Sequence, residues 1–470
     1  MKGRIEKLNE RLKNREISAL ELTKSYLDKV KNESLNSFIT VTEEAAVENA
    51  KKADALFIEN KATLLTGIPM SLKDNLSSKG IKTTAGSKVL SEYIPTYDAH
   101  TYGCLLREGA VLLGKNNMDE FGMGANSDTS FKGAVKNFLD EKRTPGGSSG
   151  GSAASVASNL SVYALGSDTG GSVRLPSSYM GTVGLCPTYG ALSRRGLIAH
   201  SSYLDRVGVI ASTVSDAAIV FDSINSHDEK DMTNVKRDKI STYAELKKGI
   251  KSIKIGVVTS LYEKAHEDTK KCLEKAIKVF SELGATVEEV KISGIEKSND
   301  IYSVISTSDA ASNLGRYDGV RYGIFGDSVK DARSYFGDEV RMRILLGNAV
   351  LTSEKELNLR KKAEAEAFGL YKSFSKAFGK FDVLIAPSSY HDAPITGENN
   401  ELLSDGFLTP SSVARIPSLS MPMGFSENNM PLGLQIMGDK FSEDVILKVA
   451  YTFEEAMGKE IYKEAENFEF

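Results

Sequence analysis

The sequence predicts an α/β protein in which helices cover both faces of a mixed central β-sheet. Strand-like apolar runs alternate with helical segments along the whole chain. Two of these runs, Ala110–Gly114 and Ile255–Val258, are almost continuously apolar, which is typical of buried parallel strands. No internal repeat or low-complexity linker divides the chain, so we expect one domain that spans residues 1–470.

Local patterns place the elements of the N-terminal half. A helix is predicted to open at Ile17–Leu22, because Ser18 and Glu21 have the spacing of a capping box. The segment Gly67–Asn75 contains an apolar run that ends in Lys73 and continues into polar residues, which predicts a strand with the lysine at its end. The next two elements are a helix start and a buried strand, predicted at Ala153–Ala157 and Ser161–Gly166.

The C-terminal half continues the alternation of helices and strands. Residues 268–283 predict a helix that Gly284 ends, and Ala285–Val290 predicts a half-exposed strand. Three later apolar runs predict strands at Val383–Pro387, Ser418–Pro422 and Leu432–Ile436. A last helix is expected at Ser442–Met457. Residues 226–250 and 326–338 are polar and are expected at the surface.

Composition excludes several classes of protein. A hydrophobic content of 41% and a charged content of 26% are ordinary for a soluble globular protein. The net charge is −4 and the basic residues are dispersed, which argues against direct, high-affinity nucleic-acid binding. Three widely spaced cysteines, without HExxH or CxxC patterns, predict neither disulfides nor a metal site. The N-terminus lacks an apolar signal core and no run has membrane-spanning length, so we expect a cytoplasmic protein without membrane contact.

Two clusters of glycine and serine, Gly146–Ser152 and Asp168–Ser172, flank the strand predicted at Ser161–Gly166. Glycine allows positive φ and close approach, so successive backbone N–H groups can converge on one anion. A serine hydroxyl becomes a nucleophile when a base removes its proton. A strand that ends in such a turn is what acyl transfer requires, and Lys73 is the one lysine that combines a strand-like approach with a polar exit.

Other interpretations of these clusters fit less well. A glycine-serine run alone favours a flexible linker, but the packable segment Ala153–Ala157 follows at once. Asp168–Gly170 resembles the triplet of aspartic proteases, whose chemistry needs a second carboxylate, and no second triplet is present. A phosphate-binding loop would need a following Gly-Lys-Ser/Thr, which is absent. The five histidines are scattered, which disfavours a Ser-His-Asp triad.

The motifs GIPxxxKDN, GGSSGGS and DTGGS, in this order within residues 67–172, resemble the amidase signature family of serine hydrolases. The resemblance implies the same α/β fold and a Ser–cisSer–Lys triad: Ser172 as nucleophile, Ser148 as bridging serine and Lys73 as base. Lysine serves as a base only when it is neutral, and burial lowers its pKa. The resemblance also implies an oxyanion hole, made by the backbone N–H groups of Thr169, Gly170, Gly171 and Ser172.

Within that family, the chain is similar to the glutaminase subunits of tRNA-dependent amidotransferases. The segments that carry this similarity are Met118–Gly124, Gly166–Ser172, Pro187–Gly190 and Ala311–Gly323. The resemblance implies that the chain hydrolyses glutamine, and that a partner, the B subunit, uses the ammonia to amidate ATP-activated Glu-tRNA(Gln) or Asp-tRNA(Asn). It also implies a small C subunit that braces the pair. ATP, Mg²⁺ and tRNA would be handled mainly by the B subunit, so no cofactor is expected in this chain.

The same resemblance implies a pocket for free glutamine. By motif position, the glutamine-binding residues of this branch fall on Tyr302, Arg343 and Asp405. An arginine fork pairs a carboxylate and an aspartate balances an ammonium, so these charges suit an amino acid. We expect a signature core at about residues 65–215 and a more variable substrate-pocket region at about 226–415. A stand-alone amidase acting on small amides and a catalytically silent scaffold protein remain open as alternatives.

Overall fold

The computed structural model describes residues 2–238, 240–325, 327–352, 354–397 and 405–462. Eleven strands of the described chain form one mixed sheet in the order β1-β3-β2-β4-β6-β5-β10-β11-β9-β7-β8. The strands are β1 Phe38–Val41, β2 Pro69–Lys73, β3 Val111–Asn116, β4 Tyr163–Asp168, β5 Val183–Cys186, β6 Arg206–Ala211, β7 Lys254–Val258, β8 Thr286–Val290, β9 Val383–Pro387, β10 Ser418–Phe425 and β11 Pro431–Gly438.

Sixteen α-helices surround this sheet in the described ranges. They are α1 Arg4–Lys13, α2 Ala19–Lys31, α3 Glu43–Ile58, α4 His100–Arg107, α5 Gly150–Ala157, α6 Arg174–Met180, α7 Val214–Ile224, α8 Thr242–Glu245, α9 Thr259–Tyr262, α10 Glu267–Glu282, α11 Ser298–Leu314, α12 Val329–Arg333, α13 Asp338–Thr352, α14 Glu354–Phe378, α15 Thr409–Val413 and α16 Glu443–Met457. Within the described ranges, no helix combines the length and the apolar composition that crossing a membrane requires.

Helices cover both faces of the sheet, as the sequence predicts. Successive side chains of a strand point to opposite faces, and in β9 they enter two different cores. Val383 and Ile385 pack in the larger core, whereas Leu384 and Ala386 pack in the second core. The larger core includes Phe280 of α10 and Phe453 of α16, and the second includes Ile301 of α11 and Phe374 of α14. The predicted α/β class with a mixed central sheet is therefore confirmed.

The order of the strands brings the lysine and serine segments together. Strand β2 lies between β3 and β4 and is parallel to both. Parallel strands end at the same edge of a sheet, so the end of β2 at Lys73 and the end of β4 at Asp168 lie on one edge. All residues of these two strands are buried, including the charged residues Lys73 and Asp168 at their ends.

Local predictions agree with the structure at most elements. Ser18 and Glu21 form the predicted capping box, with a 3.1 Å bond from Glu21 N to Ser18 Oγ. The predicted start of α5 is too late, because the helix begins at Gly150 and not at Ala153. Close packing explains the difference: a Cβ on Gly151 would lie 2.3 Å from the Asn117 carbonyl oxygen. Glycine is needed at this position because the two backbone segments pack closely, and not because the segment is flexible. The expected division between residues 65–215 and 226–415 stays a prediction.

Candidate active site

Lys73 is the last residue of β2 and its side chain is fully buried. Its Nζ lies 2.7 Å from Ser148 Oγ and 2.8 Å from Ser149 Oγ, and it donates to the Ser167 carbonyl oxygen at 3.2 Å. The amine therefore contacts the first glycine-serine cluster and the strand β4 just before the second cluster begins. Three oxygen atoms around one nitrogen fix its position at the edge of the sheet.

Burial weakens the affinity of this amine for its proton. Removal from water disfavours the ammonium form, and the nearby carboxylates of Asp119, Asp168 and Asp205 act in the opposite direction. Desolvation is the larger effect and lowers the pKa of Lys73 to about 7. A large fraction of Lys73 is therefore neutral near pH 7, which is the form that can accept a proton.

Ser148 follows a cis peptide bond from Gly147, the geometry that the family resemblance implies. Packing explains why glycine precedes it, since a Cβ on Gly147 would lie 2.2 Å from Asp119 Oδ2. The buried Asp119 carboxylate accepts bonds from the backbone N–H groups of Ser127 (2.9 Å) and Asp128 (3.0 Å). Asp119 thus holds the neighbouring loop against the segment that presents Ser148.

The turn that contains Ser172 begins where β4 ends. Asp168 accepts bonds from Arg174 Nε at 3.0 Å and Arg174 Nη2 at 2.9 Å, and both side chains are fully buried. Burial alone would raise the pKa of the Asp168 carboxyl, but the Arg174 guanidinium holds it well below its usual range. This bidentate pair ties the strand end to the first turn of α6 and closes the loop between them.

Backbone donors of the same turn remain available. Among the described residues, the N–H groups of Gly170, Gly171 and Ser172 donate to no other protein group. Thr169 is held by its side chain, which donates to Asp205 Oδ1 at 2.8 Å. Asp205 Oδ2 in turn accepts from the backbone N–H of His200 at 2.8 Å. A turn fixed at both ends, with free N–H groups between, suits an oxyanion.

Loss of the Arg174 guanidinium should destabilise the protein strongly. Arg174→Met leaves the Asp168 carboxylate buried without its partner, so we expect the free energy of unfolding to fall by about 3–5 kcal/mol. Urea denaturation followed by circular dichroism measures this change. Arg321→Met replaces an exposed arginine and is the control, which should change stability by less than about 1 kcal/mol. Equal losses in both variants would contradict the structural role of the Asp168–Arg174 pair.

Of the two described glutamine-pocket candidates, Tyr302 lies beside this turn and Arg343 interacts with Tyr302. Tyr302 of α11 packs against the turn, since a Cβ on Gly170 would lie 2.8 to 3.1 Å from its ring and hydroxyl atoms. Arg343 of α13 donates from Nε to Glu339 Oε1 at 2.6 Å. Burial opposes the charge on this guanidinium, but Tyr302 and Glu339 outweigh it and raise the pKa of Arg343.

The third candidate, Asp405, is only partly described. Its backbone begins the short 3₁₀ helix Asp405–Phe407, and its side chain lies outside the described part of the chain. The following residues approach the site: a Cβ on Gly171 would lie 2.8 Å from Leu408 Cδ1. A Cβ on Gly406 would lie 3.2 Å from Nδ2 of Asn299, which is on α11 one turn before Tyr302. The segment that follows Asp405 thus lies next to the turn that contains Ser172.

Ser172 and Ser148 are neighbours without direct contact between their hydroxyl groups. Ser149 N donates to the Ser172 carbonyl oxygen at 3.1 Å, which joins the two segments. In the described structure, Ser172 Oγ makes no hydrogen bond, and the residue is 8% exposed. Catalytic hydrogen bonds are often long before substrate binds, so this geometry is compatible with proton transfer through Ser148. The roles of the triad residues stay a prediction.

Sequence reasoning missed several residues that shape the site. Ser149 contacts the lysine amine directly, and Asp119 and Asp205 fix the loops on either side. His200 is buried beside the site, where its backbone N–H donates to Asp205. Burial and the charges of Arg343 and Lys73 hold the pKa of this imidazole well below its usual value. Ser149 and Asp119 lie in segments that the motifs mark, GGSSGGS and Met118–Gly124, whereas Asp205 and His200 lie outside every marked segment.

Comparison with known proteins identifies the class to which this fold and site belong. A profile of the family described as Amidase matches residues 21–447. The chain therefore belongs to the amidase family.

Three known proteins illustrate where the chain lies within that family. It is 44% identical, over 96% of both chains, to the A subunit of the glutamyl-tRNA(Gln) amidotransferase of Thermoanaerobacter pseudethanolicus. The crystal structure of the equally named protein from Thermotoga maritima matches with a TM-score of 0.78 and 34% identity, covering 94% of this chain and 91% of that one. The peptide amidase of Stenotrophomonas maltophilia matches with a TM-score of 0.85 and 28% identity, covering 96% of each.

Proposed function

We propose that this chain is the glutamine-hydrolysing subunit of a tRNA-dependent amidotransferase. The observation that carries the proposal is the fully buried Lys73 amine, 2.7 Å from Ser148 Oγ and next to the turn of Ser172. The near full-length similarity to proteins of that name supports the choice of substrate. The reaction is the hydrolysis of glutamine to glutamate and ammonia.

The geometry supports proton transfer from Ser172 through Ser148 to Lys73. Neutral Lys73 takes a proton from Ser148 Oγ, which takes the proton of Ser172 Oγ as that oxygen attacks the carboxamide carbon. The N–H groups of the turn Thr169–Ser172 hold the negative oxygen of the tetrahedral intermediate. Return of the proton to the leaving nitrogen releases ammonia and leaves an acyl ester on Ser172. Water, activated by the same path, then releases glutamate and restores the serine.

Recognition of glutamine would use the residues beside the oxyanion turn. The guanidinium of Arg343 is suited to the α-carboxylate, since arginine pairs a carboxylate bidentately. Asp405 would balance the α-ammonium, and Tyr302 would line the pocket between Gly170 and Arg343. In the structure Arg343 is paired with Glu339 at 2.6 Å, so the substrate carboxylate would have to compete with that bond.

The chemistry of ammonia, the product of this chain, indicates that the chain works with partner subunits. Ammonia that escapes into water becomes protonated and loses its nucleophilicity, so a second active site must receive it directly. We propose that the chain assembles with the B and C subunits of the amidotransferase, and that the B subunit binds ATP, Mg²⁺ and most of the tRNA. Amidation of Glu-tRNA(Gln), or of Asp-tRNA(Asn), would then occur on the B subunit.

One assay separates this proposal from its alternatives. Ammonia release from glutamine and from a simple aliphatic amide is measured for the chain alone and for the chain co-expressed with the B and C subunits. We expect glutamine to be preferred, with turnover rising on assembly. Preference for the aliphatic amide without effect of the partners would instead indicate a stand-alone amidase. A complex that uses free ammonia but never glutamine would indicate a silent scaffold.

Arg343→Ala should remove the preference for glutamine and leave the ability to hydrolyse amides unchanged. We expect kcat/KM for glutamine to fall by about 10²- to 10³-fold, because the substrate carboxylate loses its partner in a buried site. Hydrolysis of an amide without a carboxylate should change by less than about threefold. Ammonia release from both substrates gives the ratio. Arg341→Ala, two residues earlier on the exposed side of α13, is the matched control and should behave as wild type. Equal losses on both substrates would rule out the specificity role.

A further inference from the structure

Two histidines and an aspartate form a cluster at the start of α10, outside the proposed active site. His266 precedes the helix, Asp268 lies in its first turn, and His391 lies in the loop that follows β9. Neither the proposed triad nor the proposed glutamine pocket contains any of them. One nitrogen or oxygen atom from each residue lies within 4.8 Å of the corresponding atoms of the other two.

The separation of His391 from Asp268 is longer than that of a strong ion pair and matches that of two ligands on one metal ion. His391 Nε2 and Asp268 Oδ2 are 3.4 Å apart. A charged hydrogen bond between such groups is typically about 2.7–2.9 Å long. Two ligands bound tetrahedrally to one zinc ion lie about 3.3–3.5 Å apart, given metal–ligand distances near 2.0–2.2 Å. The ring of His266 lies against that of His391, with centroids 4.0 Å apart, which adds a second imidazole at the same point.

Hydrogen bonds from surrounding residues orient two of the three candidate ligands, His391 and Asp268. His391 Nδ1 lies 3.2 Å from Asp392 Oδ1, and that carboxylate would accept the Nδ1 proton when Nε2 coordinates a metal ion. Asp392 is itself held by Arg143 Nη1 at 3.1 Å and by Asn428 Nδ2 at 3.0 Å. Asp268 Oδ2 accepts the backbone N–H of Glu427 at 3.0 Å. Carboxylate–histidine pairs of this kind commonly orient metal-binding imidazoles.

His266 offers the third candidate ligand. Its Nδ1 accepts only a long bond, 3.3 Å, from the backbone N–H of Asp268. A metal ion would replace that bond at small cost. The two histidines are partly exposed, and a water molecule can therefore complete the coordination.

We propose that His266, Asp268 and His391 bind one divalent ion of the zinc class. Two imidazole nitrogens and one carboxylate suit zinc and its borderline neighbours, whereas calcium and magnesium prefer oxygen ligands. The ion would tie the first turn of α10 to the loop after β9. That loop bonds through Asp392 to Arg143, four residues before the Gly147–Ser148 peptide bond. Its expected role is to stabilise this region, and the proposal is independent of glutamine hydrolysis.

Calorimetric titration of the chelator-treated, full-length chain with zinc chloride at pH 7.5 tests the proposal. We expect one ion per chain, and at least tenfold weaker binding in His391→Asn and in Asp268→Asn. Excess calcium should not compete. Thermal unfolding should shift upward with zinc for the wild type and stay unchanged for both variants, because a ligand stabilises only the folded form that binds it.

Two controls separate this cluster from other zinc-binding groups. His227→Asn replaces an exposed histidine outside the cluster, and Cys104→Ser replaces the buried thiol beside His100. Both should bind zinc as the wild type does. The proposal is overturned if no stoichiometric binding occurs, if both cluster variants bind unchanged, or if Cys104→Ser alone removes the site. Should His391→Asn fail to fold, His266→Asn provides the same comparison.

Discussion

Ser172→Ala is expected to lower ammonia release from glutamine by at least about 10⁴-fold while the protein stays folded. The substitution removes the oxygen that forms the acyl ester, and backbone N–H groups alone cannot replace a nucleophile. Ser172 Oγ makes no hydrogen bond within the described structure, so its loss should cost little stability. Ammonia release in the assembled complex and thermal unfolding of the same sample give the two quantities.

Ser177→Ala is the matched control for this variant. Ser177 lies five residues later, is buried in α6, and its hydroxyl also has no hydrogen-bond partner in the described structure. Its replacement should leave both stability and turnover near wild type. If the complex with Ser172→Ala still used glutamine while free ammonia was withheld, Ser172 would not be the nucleophile.

Lys73→Arg is expected to lower glutamine turnover by about 10³-fold or more. Arginine keeps the positive charge but cannot become neutral in a protein, so it cannot accept the proton of Ser148. The loss should appear in kcat, because the step that is removed follows substrate binding. Steady-state rates over a range of glutamine concentrations separate kcat from KM.

Lys115→Arg is the corresponding control. Lys115 is also fully buried, on the adjacent strand β3, but its Nζ bonds the Leu76 carbonyl oxygen and Thr83 Oγ1 rather than the serine hydroxyls. A folded Lys115→Arg protein should keep turnover within a fewfold of wild type. Near-normal rates in Lys73→Arg at neutral pH, or equal losses in both folded variants, would exclude Lys73 as the specific base.

The lysine and serine segments could be predicted because each has its own local pattern. Strand propensity followed by a polar exit places Lys73 at a strand end, and glycine-serine clusters mark the two turns. The two segments meet because β2 and β4 are parallel neighbours, a pairing that no local pattern in the sequence indicates. The strand order around them could not be predicted, because β5 and β6 join the sheet through antiparallel pairing with segments distant in sequence.

Residues outside the signature motifs are harder to predict. Tyr302 and Arg343 can be assigned by resemblance alone, since a tyrosine or arginine on a helix has no local signal for ligand binding. Asp119 and Asp205 act by accepting backbone N–H groups of loops, a role that depends on tertiary structure. The predicted start of α5 is misplaced because glycine has low helix propensity, whereas close packing against Asn117 overrides that propensity.

The central claim is that a neutral Lys73 activates Ser172, and the pH dependence of covalent labelling of Ser172 by a fluorophosphonate tests it most directly. Intact-mass spectrometry of the chain gives the labelling rate at each pH, and Ser172→Ala gives the background. Because only the unprotonated amine can accept a proton, the rate should rise as pH increases through about 7, where burial places the pKa of Lys73. Lys73→Arg should remove this rise. Labelling that is absent from Ser172, or equally fast and equally pH-dependent in Lys73→Arg, would contradict the account.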